Sequence, residues 1–249
     1  MTDLARRLTA IPARRGTAPW PGHEYVKGWG VMGLPFDSNH YLALRVFPEN
    51  DFSPYTTVWH RDPGGAWSIY VDGARLDTAC PRYYGSACNR VELTTIELNW
   101  TAPMSLHITV DAAHLEWSLD ATETTLLRVL NAASARLPMW TWRPNSLLRA
   151  RELLARRVLG MGDIRMKGTM PSGHTGTLMP QRLYFIDSAT ATIDGQDLGR
   201  PSHIAPTADI GGFRLPARGV LAIGQAAWPI LDQDEYARSR AETEPARGV

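Results

Sequence analysis

Tyr55-Thr-Thr-Val-Trp-His-Arg61, Asp62-Pro-Gly-Gly65, Ala66-Trp-Ser-Ile-Tyr-Val71, Asp72-Gly73 is the stretch that decides the fold. Two runs rich in β-branched and aromatic residues flank a turn. Its proline presets φ and its glycines accept positive φ, so the stretch reads as a β-hairpin. The second strand places Trp67, Ile69 and Val71 on one side and Ser68, Tyr70 and Asp72 on the other. The loop that follows gathers Asp77, Arg82, Tyr83 and Tyr84, all able to bind a ligand or move a proton.

The same alternation extends outward. Before the hairpin, His40, Leu42, Leu44 and Val46 oppose Tyr41, Ala43, Arg45 and Phe47. After the loop, Ile96, Leu98 and Trp100, then Met104, Leu106, Ile108 and Val110, then Leu115, Trp117 and Leu119 each alternate with polar neighbours. Short turns between such runs predict an antiparallel meander with one apolar face. Leu42, Leu44, Trp67, Ile69, Leu98, Trp100, Leu106, Ile108 and Trp117 are assigned to that inward face. Residues 28–35, Gly-Trp-Gly-Val-Met-Gly-Leu-Pro, read as a first strand bent by its glycines.

The character changes at Thr122. Residues 124–137 carry leucines at helical spacing, and residues 144–159 form an amphipathic helix. Leu147, Leu154 and Val158 share a stripe on it, with Arg149, Arg156 and Arg157 largely off that stripe. β pattern returns at 164–170, 182–186, 190–193 and 219–228, and residues 232–242 read as a short terminal helix. The expected organisation is one β-barrel-like domain spanning 1–249. It comprises a β half at 25–121, a helical insertion at 122–162, a second β half at 163–230 and a C-terminal helix at 231–242.

With 249 residues and a formal net charge of +1, no global field argues for nucleic acid. Nothing in the sequence reads as an export signal or reaches the length of a membrane span, so a soluble, cytoplasmic protein is expected. Cys80 and Cys88 read either as a disulfide or redox pair or as two reduced thiols, the second being what such a compartment favours. There is no Gly-x-Gly-x-x-Gly, phosphate loop, Gly-x-Ser-x-Gly elbow, His-Glu-x-x-His or cysteine quartet. Neither an organic cofactor nor a metal is therefore expected.

Three stretches carry candidate chemistry. His60 with Asp62 forms a base whose tautomer a carboxylate would fix, or else a charge cluster beside a turn. Asp77, among apolar neighbours, would be a proton donor with a raised pKa, with Tyr83 and Tyr84 beside it; the alternative is a capped loop with packed tyrosines. Residues 170–176 aim His174 at a pocket mouth or form a plain turn. Trp59, Tyr70, Arg82, Trp100 and Trp117 are the candidate substrate contacts, although core packing explains most of the tryptophans equally well. The arginines of 143–157 suit either a solvated helix face or a peripheral membrane contact.

The Gly-Trp-Gly strand, the meander, the helical interruption and the second β half together resemble the lipocalin-like calycin superfamily. The branch most similar is that of the carotenoid 1,2-hydratases and lipocalin-like cyclases. The resemblance implies a mainly β, antiparallel calycin barrel or double half-barrel, a cavity for an apolar molecule, and cofactor-free chemistry. The resulting expectation is an acid–base hydratase, isomerase or cyclase acting on a hydrophobic, terpenoid- or polyketide-like molecule. A non-enzymatic carrier of the same ligand class is the alternative.

Overall fold

The computed structural model describes residues 3–73, 75–203 and 208–243. It is mainly β, with 44% strand and 24% helix. Ten strands form the continuous path of the main sheet, and three short strands of two or three residues pair alongside it: β1 (His23–Pro35), β2 (Tyr41–Asn50), β3 (Tyr55–Arg61), β4 (Trp67–Asp72), β5 (Arg90–Leu93), β6 (Ile96–Ala102), β7 (Ser105–Val110), β8 (Leu115–Thr122), β9 (Thr175–Ile193) and β10 (Val220–Pro229) make up the path. Their spatial order is β5-β4-β3-β2-β1-β10-β9-β8-β7-β6. All neighbours are antiparallel except β4 and β5. The last strand thus pairs with the first, Ala226 opposite Val26 and Gly224 opposite Gly28.

The two edge strands, β5 and β6, are joined through Thr94 and Thr95 alone. A two-residue link spans about 10 Å at most, so the edges must approach one another. The sheet is accordingly a strongly curled half-barrel. Its inner face is one apolar cluster that draws on Val31, Leu42, Leu44, Val58, Leu106, Ile108, Trp117 and Leu221. Helix α1 (Leu4–Thr9) adds Leu4 and Leu8 to that cluster. Asp3 caps α1 by accepting from the Arg6 amide, and the Leu4 and Ala5 amides donate to the Pro103 carbonyl at 3.0 and 3.1 Å. The half-barrel is filled by its own side chains.

The hairpin forms as expected, with Arg61 opposite Trp67 and Gly65 at φ +94°. The assignment of Trp67 and Ile69 to the inner face does not hold. They lie on the outer face with Tyr41, Trp59 and Val71, covered by residues around Ala79, Cys80, Ile210 and Leu215. Alternation identifies two faces, but it identifies the inner one only when the other meets water; here β4 is buried on both.

The remaining helices pack around the sheet. Helices α2 (Pro81–Tyr84), α3 (Thr125–Ser134), α4 (Asn145–Arg157) and α5 (Gln233–Glu242) follow in order. Over β1, β9 and β10, the helical layer buries Leu127, Trp142, Leu148, Ala155 and Leu159 against Met179, Phe185, Val220 and Ala227. β9 runs unbroken through 19 residues and absorbs register shifts at Pro180/Arg182 and Ile186/Ser188. Those bulges are what made it read as two strands.

Candidate functional site: an apolar cavity on the outer face

The floor is built by a row of small residues on adjacent strands. On β1 the outward positions are Glu24, Val26, Gly28, Gly30 and Met32; on β10 they are Ala222, Gly224, Ala226 and Trp228. At Gly28 and Gly30 an added Cβ would stand 1.9 and 2.0 Å from the Val46 and Leu44 carbonyl oxygens. No side chain fits there, because β2 crosses too close. The glycines leave a hollow, and the hollow is roofed by Cys80, Tyr83 and Tyr84 from the α2 region and by Met170, Ile210 and Phe213. The resulting cavity is about 140 Å³ and its walls are mostly apolar.

One charge stands in it. Arg45, on β2 between Ala43 and Phe47, lines the cavity. Its Nη1 donates to the Val31 and Leu44 carbonyls and its Nη2 to the Met32 carbonyl, at 3.0 Å for the last. These bonds serve the stretch where the β1–β2 register shifts between Trp29 and Leu34. A guanidinium has five N–H donors, so two remain, one of them on Nε. Among the described residues no carboxylate pairs with Arg45; the ionisable groups around it include Cys80, Tyr41, Tyr84 and Tyr55, and burial lowers its pKa from the ordinary value. Trp59 lies 5.9 Å from the guanidinium carbon, centroid to atom. A half-buried guanidinium that lines an apolar cavity and faces no anion makes the site receptive to one.

Hydroxyls and a thiol surround the charge. The Tyr55 hydroxyl is 3.6 Å from Cys80 Sγ, and the Trp59 indole donates to Thr57 at 2.8 Å. Tyr84 stacks edge-on against Trp59 at 4.9 Å. Burial first, then the neighbouring thiol, raises the Tyr84 and Tyr55 pKa values. Both phenols are therefore neutral near pH 7. Both cysteines are free thiols, Cys80 buried.

A proton chain backs the opposite wall. The Tyr83 hydroxyl donates a short hydrogen bond to Glu24 Oε2, and the Trp228 indole donates to the same oxygen at 3.3 Å. Glu24 is 1% exposed. Its Oε1 has no hydrogen bond, with Arg82 Nη2 at 3.7 Å and His174 Nε2 at 4.0 Å. Ser172 Oγ sits 2.9 Å from His174 Nδ1. Burial, then Glu24, holds the Tyr83 pKa well above its ordinary value, while burial lowers that of His174. Arg82 also pairs with Glu235 at 2.8 Å, tying α5 to this wall.

Of the residues singled out from sequence, Trp59, Tyr83 and Tyr84 line the cavity, and Arg82 and His174 support it from behind through Glu24. The others stand elsewhere. Asp77 is a surface residue bonded to Arg75 at 3.0 and 2.6 Å, and those bonds lower its pKa, the reverse of the expected proton donor. Asp62 accepts from the Ala66 amide at 2.8 Å and closes the hairpin turn. His60 is on the inner face, stacked on His40 at 5.0 Å with ring nitrogens 2.7 Å apart. Burial pushes its pKa down to about 4. Tyr70, Trp100 and Trp117 belong to the filled interior, not to the cavity. Sequence reading missed Arg45, Glu24, Tyr55 and Cys80. Arg45 did carry a signal: a lone charge on a strand face otherwise made of Tyr41, Ala43 and Phe47.

Among the described residues no group of three or more His, Cys, Asp or Glu is placed to hold a metal ion, and no helix is long and apolar enough to cross a membrane. Comparison of the chain with protein-family models, curated proteins and solved structures finds no match.

Proposed function

We propose that this protein binds a compact, mostly apolar molecule bearing an acid group, and that it moves a proton on that molecule without a cofactor. The observation that carries the reading is the convergence of Arg45 and the Tyr83–Glu24 pair on one apolar cavity. Two separate ionisable groups on an apolar cavity are what an acid–base enzyme needs. The cavity is of the size that accepts a single small ring or short chain. This restricts the hydrophobic, terpenoid- or polyketide-like class to its smaller members.

The roles follow from the bonding. Arg45 takes the ligand's anionic group on its two uncommitted donors. The Tyr83 proton is directed at Glu24, so toward the ligand the phenol oxygen is an acceptor. Its raised pKa keeps free phenolate scarce. A ligand C–H or O–H proton therefore passes to Tyr83 Oη as the tyrosine's own proton passes to Glu24. The electron pair left on the ligand is stabilised by Arg45. Return of the proton at another atom completes an isomerisation, or a ring closure if the carbanion attacks within the molecule. Kinship with lipocalin-like cyclases is part of this reading, supported by the curled antiparallel sheet. It departs from them in placing the cavity on the outer face of the half-barrel.

The carrier reading is kept for one reason: Arg45 and the apolar walls suffice for binding without Tyr83. Exchange chemistry separates the two. Compact aryl and short-chain carboxylates are screened by calorimetry, and a bound member is incubated in D₂O with the protein and followed by proton NMR. Under the enzyme reading, a C–H next to the acid or carbonyl group exchanges, and Tyr83→Phe abolishes exchange while leaving affinity within about threefold. Binding without exchange in the wild-type protein would leave a carrier.

A further inference from the structure

We propose that the helical layer, residues 122–165, docks on an anionic lipid surface. Among the described residues, eight of the ten large apolar side chains that are exposed fall in this segment: Leu126, Val129, Leu137, Trp140, Leu147, Leu153, Leu154 and Val158. The reason is a rotation of α4. Its sequence stripe of Leu147, Leu154 and Val158 does not face the sheet; α4 buries Leu148 and Ala155 instead, a turn of roughly 100° about its axis. The stripe is left uncovered, and so are Val129 on α3 and Trp140 in the segment between the two helices, the most exposed tryptophan at 65%. Concentrated apolar exposure of this kind marks a docking surface.

Charge decides the occupant. The same segment holds eight arginines against three acidic residues, in a chain whose formal net charge is +1. Of these arginines, Arg136, Arg143, Arg149 and Arg157 have no acidic partner among the described residues. A cleft of about 490 Å³ between α4 and residues 163–167 brings Arg165 and Lys167 beside Arg149, Arg156 and Leu153, four cations against Glu152 and Asp163. Arginines flanking exposed leucines and a tryptophan are the composition of a helix that lies in a lipid headgroup layer, phosphate against guanidinium and apolar side chains below it. A second copy of this chain would set like charge against like charge across a shared patch.

The test is flotation of the full chain with vesicles of phosphatidylcholine alone and of phosphatidylcholine containing roughly one third phosphatidylglycerol, at low and high salt. The expected result is binding to the anionic vesicles only, weakened by salt. Val129→Asp with Leu153→Asp, and separately Arg149→Glu with Arg157→Glu, should each cut the bound fraction at least about tenfold. All four positions are at the surface, and an unchanged Tm confirms that the variants fold. A blue shift of tryptophan emission on adding anionic vesicles should disappear in Trp140→Phe. Equal recovery with and without vesicles, or binding that neither pair of changes weakens, overturns the proposal. So does a concentration-dependent dimer, abolished by Val129→Asp, in a chain that ignores vesicles.

Discussion

Removing the Tyr83 hydroxyl tests the wall of the cavity most sharply. Tyr83→Phe preserves the ring contacts with Trp228 at 4.6 Å and His174 at 5.4 Å, so packing is not the variable. What disappears is the hydrogen bond to Glu24 Oε2. The carboxylate, 1% exposed, would keep only the Trp228 donor at 3.3 Å, the Arg82 guanidinium at 3.7 Å and the His174 ring at 4.0 Å. A hydrogen bond to a charged group is worth about 1.5–3 kcal/mol, and stripping one partner from a buried charge costs about 3–5 kcal/mol. Because Trp228 and Arg82 remain, the loss should lie near the junction of those ranges, about 3 kcal/mol. For a chain of this length that is about 6–12 °C in Tm. Glu24→Gln removes the charge but keeps an acceptor, so it should cost less, about 1–2 kcal/mol. The assay is urea unfolding of wild type, both single variants and the double variant. The cycle should show a coupling of at least about 1.5 kcal/mol. Additivity within about 0.5 kcal/mol would show that the two side chains do not act as a unit and would remove the proton chain from the account.

Three further outcomes follow from the packing and the titrating groups. Ile69→Ala on the outer face and Leu106→Ala on the inner face should each destabilise by about 2–5 kcal/mol and add in combination, as judged by denaturation midpoints. Gly30→Ala should destabilise by about 1–3 kcal/mol and disturb the cavity floor, because its Cβ would press on the Leu44 carbonyl; an unchanged Tm would show that β2 yields there. His60 has a folded pKa of about 4, below its ordinary 6.5, so the stability it contributes is present above pH 6.5 and is lost as pH falls toward 4. The loss is up to about 3 kcal/mol, and unfolding curves for His60→Asn across that range should be markedly flatter than wild type.

The sheet was legible because period-2 alternation over residues 41–47, 96–110 and 115–119 reports strand structure directly. Its faces were less so. Trp67 and Ile69 look like inner residues because they are apolar, and only the cover laid down by residues 79–80 and 210–215 makes the outer face equally dry. β1 begins at His23, five residues before the stretch 28–35 that reads as a strand. The site was legible in part. Trp59, Tyr83 and Tyr84 stood out as aromatic and titratable, and they do line the cavity. Arg45 and Glu24 did not, because a lone charge on a strand ordinarily meets water; the burial of each follows from covering segments more than thirty residues away in the chain. The turn of α4 was hidden for a similar reason: the strongest apolar stripe of a helix need not be the one its sheet covers.

Recognition of an anion by Arg45 is the centre of the account, and one comparison tests it most directly. A carboxylate found to occupy the cavity is measured by calorimetry beside its neutral amide, in the wild-type protein and in Arg45→Met. One charge-assisted contact of about 1.5–3 kcal/mol corresponds to roughly 10–150-fold in Kd. The account predicts that wild type prefers the acid by that factor, and that Arg45→Met binds acid and amide alike. An acid preference that survives in Arg45→Met, or no preference in wild type, would contradict it.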